Sequence, residues 1–244
     1  MHESTPGSDA REVTSIGEVM RERALALAER ARLREQQTPS APPASASPAG
    51  EAWRVERALR LGGVPDVYRE AKWPTVRSGA VREWAYGVGA RTAKRSDPGS
   101  PNHALLGVGL LILGPTGTGK SSAAALCCRA AAEAERTVRW TYLPDLVDRM
   151  TAGAKERQHE IAMQVGVDLL VWDDLGVRDL ADWEIGYLDQ IVEGRYRRRR
   201  PMVVTSNWTP EDLKNDQRLG RLVDRWRDRT ARDLVVLGGP SMRG

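Results

Sequence analysis

From residue 109 onward, short apolar runs alternate with longer amphipathic stretches. Gly109–Leu113 (GLLIL) is wholly apolar and ends in a glycine-rich turn. Val138–Leu143, Asp168–Trp172 (DLLVW), Met202–Ser206 (MVVTS) and Leu234–Leu237 (LVVL) are of the same type. Continuous apolar runs of this length read as strands buried on both faces. Between them, Ser121–Glu135 is an alanine-rich helix, and Asp145–Met150 and Glu156–Val165 are short helices. Trp183–Arg199 carries Ile185, Leu188, Ile191 and Val192 on one helical face. Five strands separated by helices predict an α/β fold with a five-stranded parallel sheet flanked by helices.

The pattern changes upstream. Glu12–Gln36 places Ile16, Val19, Met20, Ala24, Leu27, Ala28 and Ala31 on one face of a helix. A single amphipathic helix cannot bury its own stripe, so this one needs a surface to pack on. The stretch TPSAPPASASPAG that follows has the proline, serine and alanine content of an extended linker. The chain therefore divides into a helical, partner-binding segment (1–37), a flexible linker (38–51) and a body (52–244).

Composition narrows the class. Apolar residues make up 41% and charged residues 29% of the 244, a globular balance that excludes wholesale disorder. The longest apolar run, Ala104–Leu113, contains two glycines and falls far short of the ~20 residues of a membrane helix. No charged-then-apolar leader opens the chain, so neither a membrane partner nor secretion is expected. The two cysteines, Cys127 and Cys128, are adjacent and make neither a disulfide framework nor a zinc site. A reducing cytoplasm is the expected location. The net charge of +4 is compatible with a nucleic-acid partner without requiring one.

The sharpest motif is Gly114-Pro115-Thr116-Gly117-Thr118-Gly119-Lys120-Ser121, followed by Ser122. It matches G-x-x-x-x-G-K-[ST] and lies between an apolar strand and a helix, as the chemistry requires. Glycines let backbone N–H groups wrap a phosphate, and the helix N-terminus adds positive partial charge. Lys120 is expected on the β- and γ-phosphates of ATP and Ser121 on a Mg2+ ion. A second site, Leu169-Leu-Val-Trp-Asp173-Asp174, ends a buried strand with two acids. Ligand chemistry in parallel sheets gathers at these carboxyl ends. Asp173 is the expected metal-shell carboxylate, and Asp174 the group that orients or deprotonates water.

Together these features resemble the AAA+ ATPases of the DnaC and IstB group, the helicase loaders and transposition helper ATPases. Gly62-Gly-Val-Pro-Asp-Val-Tyr-Arg69 is similar to the segment before that ATPase core. Residues 114–121 correspond to its Walker A loop and 169–174 to its Walker B strand. Arg195-Tyr-Arg-Arg-Arg-Arg-Pro-Met-Val-Val-Thr-Ser-Asn207 resembles its helix, proline and sensor 1 strand. Arg221-Leu-Val-Asp-Arg225 and Gly239-Pro-Ser-Met-Arg243 resemble its arginine-finger segment and closing motif.

The resemblance implies ATP hydrolysis at subunit interfaces. Asn207 would sense the γ-phosphate, although Asn207-Trp-Thr-Pro210 is also a reasonable helix start. Arg221, with Arg225 as the alternative, would reach ATP held by a neighbouring copy. Arg243 would sense nucleotide from the far side. The arginines at 195 and 197–200 read as a helix end and interface, with nucleic-acid contact as the other reading. Single-stranded DNA is expected against Arg149, Lys155 and Arg157. Trp140 and Tyr142 are open to base stacking or to core packing. Asp174 stands where many such ATPases carry glutamate, which implies slow turnover. The leading expectation is an ATP-dependent loader of the replicative hexameric helicase, gripped through the N-terminal helix and self-associating through ATP. A transposition helper and a non-hydrolysing ATP-switched adaptor are the alternatives.

Overall fold

The computed structural model describes residues 47–76, 78–92, 109–177, 179–215, 234–239 and 241, and Ser47 opens the first helix among them. The helix expected over Glu12–Gln36, most of the linker, and Arg221, Arg225 and Arg243 lie outside them. The Ser47 hydroxyl accepts from the Gly50 N–H at 3.0 Å, and Pro48 occupies the first turn of α1 (Pro48–Leu61), where no N–H is needed. The linker assignment of 38–51 therefore runs too far. Its last serine and proline cap a helix instead of extending a chain. A one-turn helix α2 (Asp66–Arg69), a 3-10 turn (Trp73–Thr75) and α3 (Gly79–Thr92) follow. None of these belongs to the elements that the hydrophobic pattern predicts.

The body then alternates as expected: β1 (Leu110–Leu113), α4 (Lys120–Glu133), β2 (Val138–Tyr142), α5 (Leu143–Met150), α6 (Ala154–Gly166), β3 (Leu169–Leu175), α7 (Asp182–Arg197), β4 (Met202–Ser206), α8 (Pro210–Asn215) and β5 (Leu234–Val236). Boundaries shift where turn chemistry intervenes. Leu143 starts α5 instead of ending β2, because Pro144 pre-sets a helical φ. Asp168 stays outside β3, its carboxylate accepting from the Thr137 N–H and hydroxyl at 3.1 and 2.8 Å. α7 stops at Arg197, and Arg199 turns the chain with a φ of +51°.

The five strands are all parallel, in the order β2-β3-β4-β1-β5. One core layer joins α1, α3 and α4 to the sheet through Leu59, Trp84, Ala124, Ile112, Val171 and Val203. The other joins α5, α6 and α7 to its opposite face through Leu146, Val165, Leu188, Leu170, Trp172 and Val204. The alanines of α4 let that helix sit close to the sheet (Ala123, Ala124 and Ala131 are buried). Central β4 thus ends between the carboxyl ends of β3 and β1.

Two buried polar clusters hold the second layer. Gln164, buried on α6, donates to Thr141 Oγ1 at 2.9 Å and Glu160 Oε1 at 2.8 Å, and accepts from Trp172 Nε1 at 3.2 Å. Burial works against the Glu160 charge, but the Gln164 hydrogen bond and the Arg139 and Arg149 guanidinium groups prevail and hold its carboxyl below the usual range. Arg195 corrects the reading of residues 195–200. Its guanidinium is buried and donates to the backbone carbonyls of Gln164, Val167, Asp168 and Pro201. It is a staple between α7, the end of α6 and the start of β4, and it faces neither DNA nor an interface. Arg197 pairs with Glu193 at 2.6 Å, one turn away.

Candidate active site

The loop Gly114–Gly119 leaves β1 and feeds the N-terminus of α4. Its turn is held internally: the Thr118 hydroxyl donates to the Pro115 carbonyl at 2.8 Å, and Lys120 Nζ donates to the same carbonyl at 2.9 Å. Lys120 is only 5% exposed. Two glycines here are required by geometry. Gly114 has φ +147°, and a Cβ on it would lie 2.2 Å from the Leu237 carbonyl oxygen. Gly117 has φ +85°, and a Cβ there would lie 2.3 Å from the Ser241 hydroxyl. The segment after β5 therefore closes on the loop, with the Leu237 N–H donating to the Leu113 carbonyl at 2.7 Å.

Beside the loop, the Ser121 hydroxyl donates to Asp173 Oδ1 at 3.0 Å. The same oxygen accepts from the Thr205 hydroxyl at 2.7 Å. Burial raises the Asp173 carboxyl above its ordinary value; the Thr205 bond opposes this and the nearby Asp174 charge adds to it. Two hard oxygen donors thus converge beside a phosphate-shaped loop, one of them a desolvated carboxylate in want of a cation. That fits Mg2+, which takes one or two protein oxygens and fills its shell from phosphates and water. Among the described residues no cluster of three or more His, Cys, Asp or Glu offers another metal site.

These groups border one cavity of about 580 Å³. Thr116, Gly117, Gly119, Lys120, Ser121 and Ser122 line it, together with Asp174, Tyr142 and Asn207 and with Val67, Tyr68, Glu70 and Thr75 from the segment after α1. The arrangement offers amides and an ammonium group for phosphates, oxygens for a metal, and a carboxylate and an amide in the same cavity. The structure thus gathers residues 114–122, Asp173, Asp174 and Asn207. Tyr142 is 38% exposed and lines this cavity, whereas Trp140 is buried in the core with its ring centroid 5.8 Å from that of Tyr68. Thr205 and Ser241 are contacts that motif reading passes over. The only signal for Thr205 is its place two residues before Asn207.

The family model described as IstB-like ATP binding protein matches residues 63–243. The chain belongs to this family. An insertion sequence ATP-binding protein of Sinorhizobium fredii is 35% identical over 103 residues, 41% of this chain and 34% of that protein. The replicative helicase loader DnaI of Bacillus subtilis is 24% identical over 112 residues, 45% of this chain and 36% of the loader. The matched stretches thus span about a third of each curated relative. The crystal structure of DnaI resembles this fold with a TM-score of 0.55 at 22% identity, over 73% of this chain and 94% of that one. The DnaC helicase loader gives 0.51 at 18%, over 71% and 100%. These likenesses make the fold of the IstB-family chain an AAA+ P-loop fold of the DnaC/IstB type. Among its described residues no helix is long and apolar enough to cross a membrane.

Proposed function

We propose that this IstB-family protein hydrolyses ATP and uses the nucleotide state to place a protein partner on DNA. The observation that carries the reading is the convergence of the Walker A loop, Asp174 and Asn207 on one cavity, with Asp173 bonded to Ser121 of its lining. In this reading the loop amides and Lys120 hold the β- and γ-phosphates. Ser121 and Asp173 would hold Mg2+, which would neutralise charge on the transferring phosphoryl group. Asp174 orients a water molecule and takes its proton as the water oxygen bonds to the γ-phosphorus. The bond from that phosphorus to the β–γ bridging oxygen breaks, and ADP and phosphate leave. Asn207 donates to the γ-phosphate or the water. Arg221 of a neighbouring copy stabilises the developing charge. An aspartate reaches less far than a glutamate, so unstimulated turnover is slow.

The partner we assign is a replicative hexameric helicase, gripped by residues 1–37 and delivered to single-stranded DNA. The resemblance to the Bacillus subtilis loader supports this, as does the apolar stripe in the N-terminal sequence pattern. Lys155 is exposed on the α5–α6 face, available to DNA, and Arg149 beside it is half-exposed but pairs with Glu160 at 3.4 Å. Arg157 is committed within the chain: its Nε donates to the Met150 carbonyl at 3.0 Å and its guanidinium lies 4.5 Å over the Tyr187 ring. The 35% identity to an insertion sequence protein favours a second reading, a transposition helper that binds duplex DNA and a transposase.

Native mass spectrometry with the helicase of the same source, with and without ATP, separates the two. A defined complex that is lost on deleting residues 1–37 is expected of the loader. No complex in either condition rejects it and makes the transposase the next partner to test.

A further inference from the structure

In a regular strand, neighbouring side chains point to opposite faces of the sheet. Asp174 lines the cavity and Asp173 bonds Ser121 of the same lining, which such a strand would not allow of neighbours. β3 carries one extra residue at this point. Trp172 pairs with Val204 and Leu175 with Ser206, so three steps along β3 oppose two along β4. Trp172 and Leu175 accordingly pack in the same core layer, although three positions separate them. The bulge falls on the two acids. Asp174 takes a φ of +64°, the left-handed region that a residue with a Cβ adopts only when its surroundings hold it there.

A bulge takes a backbone N–H off the ladder, and a buried N–H needs an acceptor. The Asp174 N–H donates to Thr205 Oγ1 at 3.0 Å. The same hydroxyl gives its proton to Asp173 Oδ1 at 2.7 Å. Thr205 is fully buried on β4, between the two residues that pair with Trp172 and Leu175. One hydroxyl group thus bonds the backbone of one acid and the side chain of the other.

We propose that Thr205 is a positioning residue for ATP hydrolysis: its hydroxyl holds the bulge that turns Asp174 into the cavity and fixes Asp173 against Ser121. The inference rests on the hydrolytic reading of this site. A valine at 205 keeps the shape and removes both bonds. The Asp174 N–H then loses its acceptor, and the bulge loses the contact that favours it over regular pairing. The Walker A contacts to the phosphates are untouched, so the effect falls on kcat and spares nucleotide affinity.

The test uses full-length wild type, Thr205→Val, Thr205→Ser and Thr205→Cys, with Mg2+ and ATP, and with single-stranded or duplex DNA. ATP affinity, KM and kcat are measured separately. Thr205→Val is expected to lose about tenfold or more in kcat, with KM and ATP affinity changed by less than about threefold. Thr205→Ser, which keeps the hydroxyl and drops the methyl, is expected to stay within about threefold of wild type in kcat. Where Thr205→Val does not fold, Thr205→Cys takes its place, since a thiol keeps the size but bonds weakly. The inference is overturned by a valine or cysteine variant that turns over like wild type. It is equally overturned by a serine variant as impaired as valine, which would make the methyl's packing the cause. A wild type that binds ATP and turns none over with either DNA removes the hydrolytic reading and this inference with it. An active wild type matched by Thr205→Val removes only the inference.

Discussion

In the proposed role as a Mg2+ ligand, Asp173 has to be an anion where little water reaches it. Burial pushes its carboxyl up, and the hydroxyls of Ser121 and Thr205 return only part of what solvation would give. A folded-state value above the unfolded ~3.9 means the charge opposes folding at neutral pH. That penalty is fully present above the folded value and disappears as pH falls below the unfolded one. Asp173→Asn keeps an acceptor oxygen for both hydroxyls and removes the charge. The variant is expected to melt higher than wild type at pH 7 without Mg2+, with the gap closing as pH falls towards 4. Turnover is expected to drop by about 10²-fold or more, since charge stabilisation at the phosphoryl group is lost. Thermal melts across pH, with and without Mg2+, check the first part. A variant that melts lower than wild type at pH 7 contradicts it.

At the scale of elements, the strands were legible because buried parallel strands announce themselves as unbroken apolar runs. MVVTS is β4 residue for residue. The glycine-lysine loop was legible because one short segment holds all its chemistry. What depends on a partner was not legible. The bulge at Asp173 and Asp174 exists only in the register between β3 and β4, which neither strand's pattern contains. α1 was hidden because its serine and proline, acting as a cap, have the composition of the linker they follow.

Arg195 is the clearest such case. In a run of arginines it reads as a helix end and interface or as a nucleic-acid contact, yet it makes four bonds to carbonyls that close the ends of three elements. A planar fork of donors suits that task, and lysine has no such fork. Arg195→Met fills much of the same volume but leaves the carbonyls without their donor. Stability is expected to fall by about 3 kcal/mol or more, and Arg195→Lys to recover only part of it. Urea unfolding monitored by circular dichroism checks this. A loss below about 1 kcal/mol, the range of an exposed charge, would contradict the staple.

At the scale of the whole molecule, the cavity gathers the glycine-lysine loop, Asp174 and Asn207. Positive charge for the proposed transition state is supplied, among the described residues that line it, by one side chain. Lys120 lines it, while Arg221 and Arg225 lie outside the described residues and are assigned by resemblance to a neighbouring copy. If each site is completed by the next copy, the contact is head-to-tail and therefore heterologous. This has a consequence no single chain can mimic. Lys120→Ala removes a chain's own site and leaves its arginine intact. Arg221→Ala keeps the site and removes the arginine it offers. Each variant alone is expected to be inactive. In an equal mixture, roughly a quarter of contacts join an intact site to an intact arginine if subunits assort at random. ATPase activity should therefore return to about that fraction of wild type. A mixture as inactive as its parts would place the arginine's action within its own chain, and an Arg221→Ala protein active on its own would deny it a role. Repeating the mixture with Arg225→Ala decides which of the two arginines is offered.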